Sequence, residues 1–217
     1  MIMNLFSVFD PTTGIISLNW LSIFLVFILP STYWNSPSKL SIMLMIMIKK
    51  LTLETIMHMK KIEPSIIFVS MFMFILVNNL MGLLPYVFTS SAHLSFSLSL
   101  ALTLWLSLMT YGWMKKTNKM FMHLVPVGTP YVLMPFMVLI ESTSNIIRPG
   151  SLAVRLSANM IAGHLLMSLL GNNLASNFPM MLLLMWTFML LMMFELAVAF
   201  IQSYVFMTLM TLYSSEI

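Results

Sequence analysis

Apolar runs divide the 217-residue chain, and its charged positions fall between them. Nothing ionised separates Asp10 from Lys39, Glu63 from Lys115, Lys119 from Glu141, or Arg155 from Glu195. A bilayer crossing takes ~20 apolar residues, so each gap is long enough to hold at least one. The pattern predicts a first transmembrane helix over 15–34, bounded by Asp10-Pro11 before it and by Pro30 and Pro37 at its far end. Two more follow over 65–87 and 94–113, the second closed by Tyr111 and Trp113 and then by the basic run "KKTNK". Segment 38–63 differs. On a helical wheel Lys39, Lys50, Glu54 and Lys61 fall within about 60° of one another, with apolar residues at most other positions, as in an amphipathic helix lying in the membrane interface.

The last hundred residues show helical, apolar patterning over 129–170 and 177–213, each about twice the length that a ~30 Å hydrocarbon layer needs at ~1.5 Å of rise per residue. Internal loop signals are few. Pro149-Gly150 reads as a local break in the first, and "GNNLASNFP" as the turn between the two. The expected architecture is an all-α integral membrane protein in a single membrane domain. It has an outer transmembrane helix, an interfacial amphipathic helix, two transmembrane helices, and a C-terminal hairpin of two long tilted membrane helices.

Composition narrows the picture. Only 7% of residues are charged, against the ~25% of a soluble domain. The net charge of +4 comes almost wholly from lysines in 39–61 and 115–119. Three crossings before residue 115 place both segments on one side, the matrix or cytoplasm by the positive-inside rule, with the N-terminus on the opposite, outer side. No concentrated basic face exists for nucleic acid. With no cysteine, no metal-ligand constellation and no Gly-rich phosphate loop, no cofactor or metal is expected. The first basic residue is Lys39, so insertion is expected without a removable address.

Four ionisable residues stand where lipid is expected: Glu141, Arg155, His164 and Glu195. Each costs on the order of 2.5 to 3.5 kcal/mol at a helix centre and demands a reason. Arg155, Asn159 and Ala162 share a helical face flanked by small residues; His164, nine residues on, points away; Glu195 and Gln202 are i, i+7 partners with Ser203 beside them. These residues form either a polar lane for protons or structural ties between helices. For protons the roles divide. Carboxyl and imidazole groups exchange protons near neutrality once their surroundings tune them, whereas guanidinium cannot release one and acts as a fixed gate.

The runs "AVRLSANMIAGH", "MPFMVLIESTSNIIRPGSLA" and "ELAVAFIQSYVF", with weaker agreement at "NLFSVFDP" and "NNLMGLLPY", resemble the a subunit of F-type ATP synthase in its mitochondrially encoded form. The resemblance implies a proton-translocating stator subunit in the mitochondrial inner membrane. It would offer two offset half-channels to a ring of c subunits, beside other membrane-sector and peripheral-stalk subunits. It makes Arg155 the gate facing that ring, places Asn159, His164, Glu195 and Gln202 along the intermembrane-space half-channel, and assigns Glu141 to the matrix side. Histidine at 164 and glutamate at 195 reverse the order common in bacterial relatives while keeping an acid and an imidazole together. The alternative is a proton-pumping subunit of a respiratory complex, but such a subunit should show buried lysines in repeated helices, and here the lysines cluster between crossings.

Overall fold

The computed structural model describes residues 5–12, 17–30, 36–59, 62–125, 128–176 and 180–216. The helices are α1 (Lys39–Met59), α2 (Glu63–Gly82), α3 (Leu94–Lys115), α4 (Thr117–Leu124), α5 (Met134–Ser176) and α6 (Met181–Glu216). Short 3-10 segments cover Leu5–Phe9, Leu18–Ile28, Ser90–Ala92 and Tyr131–Leu133. The protein is an all-α membrane protein, and among the described residues four helical stretches are long and apolar enough to cross a bilayer: Glu63–Gly82, Leu94–Lys115, Tyr131–Leu174 and Met181–Glu216. Of the expected outer crossing, Leu18–Ile28 is an apolar 3-10 helix packed against α2; residues 15–16 and 31–34 lie outside the described residues, as do Lys61 and the 177–179 part of the hairpin turn.

Helix α1 follows its wheel. The residues it turns toward α2 and α6 are Ile48, Leu51, Thr55 and Met59, opposite the stripe of Lys39, Lys50 and Glu54. Apolar side chains thereby join the core while the charges stay exposed. The core itself lies where α2 meets the C-terminal hairpin, with Phe68, Phe72 and Ile75 of α2 set against Leu152 and Leu156 of α5 and Phe206 and Met210 of α6.

Helix α5 overturns one expectation. Pro149-Gly150 does not break it: the helix runs 43 residues with Pro149 inside. Proline's fixed φ suits a helix, and what it removes is one backbone hydrogen bond, a loss that helix neighbours in a membrane bundle compensate. At ~1.5 Å per residue α5 and α6 reach ~65 and ~54 Å, so both must tilt to stay within the hydrocarbon layer.

Candidate functional site

Two lateral contacts set the hairpin's register. Toward the turn, Glu195 of α6 lies against Gly163 of α5 so closely that a Cβ at Gly163 would overlap the carboxylate. A glycine in an apolar helix here serves close approach. Glu195 is buried, at 5% exposure. His164 is the next residue, half-buried, with Nε2 sealed from solvent and unpartnered among the described residues. Its ring meets Phe9 edge-on, with centroids 6.2 Å apart. Along the same face of α6 follow the buried Ala199 and Ser203, with half-buried Gln202 beside them. The acid and the imidazole, one from each helix, therefore stand at one level of the hairpin, the carboxylate against Gly163 and not on the imidazole.

The second contact lies at the open end of the hairpin. Arg148 donates from Nη1 to Glu216 Oε2 at 2.7 Å, and its Nη2 stands 3.7 Å from Glu141 Oε1. Its guanidinium sits 5.0 Å from the centroid of the Tyr213 ring. No helix break adjoins Arg148, and two carboxylates and an aromatic face surround its guanidinium instead. This cluster lines a cavity of about 560 Å³ together with Trp105, Trp113 and His123. All three charged side chains keep some exposure, so their pairing contributes little to stability. Glu216→Gln should therefore lower the thermal midpoint of the detergent-solubilised complex by the equivalent of no more than ~1 kcal/mol. A larger loss would show the pair to be a structural tie.

Arg155 stands between these levels, seven residues from Arg148 and nine from His164. Its side chain is exposed on the outer face of α5, where Ser151, Val154, Ala158 and Ala162 are exposed around it, and no ion pair reaches it among the described residues. Asn159, one turn on, is half-buried. On the inner face at the same height, Leu152, Ala153, Leu156 and Met160 are each exposed by 3% or less. A packed collar, apolar but for Ser157, whose hydroxyl donates to carbonyls of its own helix, therefore lies between the Glu141–Arg148–Glu216 cavity and the His164–Glu195 level.

The sequence reading found Glu141, Arg155, Asn159, His164, Glu195 and Gln202, but missed Glu216, Tyr213 and Gly163. Glu216 lies past the last apolar run, so hydropathy attaches no cost to it. The signal for Gly163 was its place between Ala162 and His164 in an apolar helix, where a small residue marks helix contact.

A helical bundle that crosses the bilayer several times and keeps ionisable groups at two depths is a polytopic membrane protein of the ion-translocating class. The family model described as "ATP synthase A chain" matches residues 2–215. Proteins called ATP synthase subunit a are similar along their whole length, with 100% of each chain covered: 53% identical in Anopheles gambiae, 54% in Aedes aegypti and 55% in Drosophila melanogaster. The chain belongs to the ATP synthase A chain family and is a membrane-sector component of an ATP synthase, not itself the catalytic subunit. The reading as a subunit of a respiratory complex falls with that membership.

Proposed function

We propose that this chain is the stator subunit through which protons cross the mitochondrial inner membrane, with its N-terminus on the intermembrane-space side. Protons enter at the level of His164, Glu195, Asn159 and Gln202. They pass to a carboxyl on the facing ring of c subunits, and leave through the cavity of Glu141, Arg148 and Glu216. The observation that carries this reading is the apolar collar of Leu152, Ala153, Leu156 and Met160 between two polar levels, with Arg155 outward at its height. A proton cannot pass straight through such a collar. It must move laterally onto a carrier on the outer face, and a fixed cation there prevents the carrier from passing with its proton still bound, because the cation favours the carboxylate.

The roles follow from the side chains. Glu195 and His164 each bind and release a proton, and Gln202, Ser203 and Asn159 supply hydrogen-bonding groups beside them. Arg155 stays charged and draws the proton off an arriving carboxyl by stabilising its anion. The small side chains at Ser151, Ala158 and Ala162 let a partner helix approach closely. Glu141 and Glu216 accept the released proton beside a cavity wide enough for water.

Glu195→Gln tests the reading at nearly constant volume. Proton flux per assembled complex, measured in vesicles with an imposed gradient, should fall about a hundredfold, as for removal of a general acid–base group. Unchanged flux per complex with poor assembly would instead make Glu195 a structural tie.

A further inference from the structure

A second polar cleft lies between α1 and α6 and shares no lining residue with the cavity at Arg148. Its volume is about 190 Å³, and its polar lining is Glu54, Thr55 and His58 of α1 with Tyr204, Thr208 and Thr211 of α6. Every hydroxyl in it has its proton engaged. Tyr204 donates from Oη to Glu54 Oε2 at 3.4 Å, while Thr55, Thr208 and Thr211 donate from Oγ1 to the carbonyls of Thr52, Val205 and Thr208 at 3.0, 3.2 and 2.8 Å. What these groups present to the cleft is therefore lone pairs. Glu54 adds a carboxylate, His58 a ring nitrogen that accepts when neutral, and no lysine or arginine lines the space. A set of acceptors with one negative charge is complemented by a cation rich in N–H donors. A primary ammonium, with three donors and no acceptor, is that group.

The position of the cleft decides which ammonium can reach it. Helix α1 carries Lys39, Lys49, Lys50 and Glu54 along its 21 residues and is not among the stretches apolar enough to cross the bilayer. It packs on α2 and α6, with Met59 accepting from Ser214 close to the end of α6. The cleft thus opens at the level of lipid headgroups. Lys50, one helical turn before Glu54, is exposed and makes no ion pair with it among the described residues, although side chains at i, i+4 are within reach of each other. A cation and an anion stand a turn apart, each open to a partner, in the arrangement that matches the phosphate and ammonium of a zwitterionic headgroup. Leu53 and Met57, 64% and 82% exposed, offer apolar surface beside them for acyl chains.

We propose that the cleft between α1 and α6 binds the headgroup of a phosphatidylethanolamine molecule, its ammonium among Glu54, Tyr204, Thr208 and Thr211 and its phosphate on Lys50, so that the lipid pins the interfacial helix to the hairpin. The site is independent of the proton route. A water's share of liquid volume is ~30 Å³, so the cleft holds an ethanolammonium arm of three heavy atoms with room for water beside it. Phosphatidylcholine has no N–H to donate, and phosphatidylglycerol would bring no cation to Glu54.

The test uses the assembled complex, stripped of lipid in detergent and labelled with a phosphatidylethanolamine that carries a photoreactive acyl chain. Crosslinks to α1 and α6 are read by mass spectrometry while unlabelled lipids compete. Phosphatidylethanolamine should compete about tenfold more strongly than phosphatidylcholine or phosphatidylglycerol, as expected for hydrogen bonds to a charged group. Glu54→Gln should erase that preference. Should this variant fail to assemble, Thr208→Val, which keeps the side chain's shape and removes one acceptor, should reduce the preference. Lys50→Gln should weaken phosphatidylethanolamine and phosphatidylcholine alike, since both carry the phosphate. Equal competition by phosphatidylcholine would overturn the ammonium site, and stronger competition by phosphatidylglycerol would show that the lysines of α1 select the lipid without the cleft. Loss of a neighbouring subunit from Glu54→Gln with the lipid preference unchanged would give the cleft to a partner's lysine and overturn the lipid site as well.

Discussion

Arg155→Lys is expected to reduce proton-driven ATP synthesis about a thousandfold, while Arg148→Lys keeps most of it. The first figure follows from what a fixed charge supplies: an ion pair at ~4 Å in an effective dielectric of ~20 amounts to ~4 kcal/mol, or about three powers of ten. Lysine at 155 forfeits this in two ways. On a face where Val154, Ala158 and Ala162 are its neighbours, an ammonium covered by an apolar partner can be neutralised by burial. A point charge also lacks the planar fork that holds a carboxylate through two parallel hydrogen bonds. At 148 the surroundings differ. Glu216 stands 2.7 Å away, Glu141 at 3.7 Å, and all three side chains keep contact with solvent, so an ammonium remains charged and keeps at least one partner. ATP synthesis by the two variants in vesicles under an imposed gradient, normalised to assembled complex, decides the matter. Equal damage, or greater damage at Arg148, would move the gate to the wrong end of the collar.

Gly163→Ala is expected to impair proton flux nearly as severely as loss of the Glu195 carboxyl. The added methyl would occupy the volume of that carboxylate, so either the hairpin opens or the side chain swings away. Overpacking of this kind costs ~1–3 kcal/mol, and the displaced acid no longer lies at the level of His164. A shorter acid should relieve the clash: Gly163→Ala combined with Glu195→Asp is predicted to recover part of the flux lost by Gly163→Ala alone. The readouts are flux per assembled complex and the amount assembled, and they separate a displaced carboxyl from a hairpin that fails to pack. Wild-type flux in Gly163→Ala would mean that Glu195 does not hold this position in the working complex.

Local pattern carried much of this protein. The charge-free gap from Glu63 to Lys115 marked where α2 and α3 cross, because a lipid solvent penalises each ionised residue wherever the chain happens to fold, whereas the gaps Lys119–Glu141 and Arg155–Glu195 did not match crossings: α5 and α6 run through Glu141, Arg148, Arg155 and Glu195. The wheel of α1 predicted which face stays exposed, since the stripe of Lys39, Lys50 and Glu54 follows from residue spacing alone. The same spacing separated Arg155 from His164 on α5 before any neighbour was known. Pairing across helices was not legible in this way. A helical wheel is indifferent to a neighbour's register, and sliding α6 by one turn along α5 would leave every periodicity intact while moving Glu195 off Gly163 and Glu216 off Arg148. Side-chain packing between the helices settled that register, and with it the two levels and the collar between them. It also carried α5 through Pro149, where local preference read a break, because the bundle supports a helix that the isolated segment would interrupt. The burial of Thr89, Ser90 and Ser91 depended on tertiary structure most of all: short polar side chains in a connector look like solvent-facing residues until folding packs the Ser90–Ala92 turn against α2 and α5.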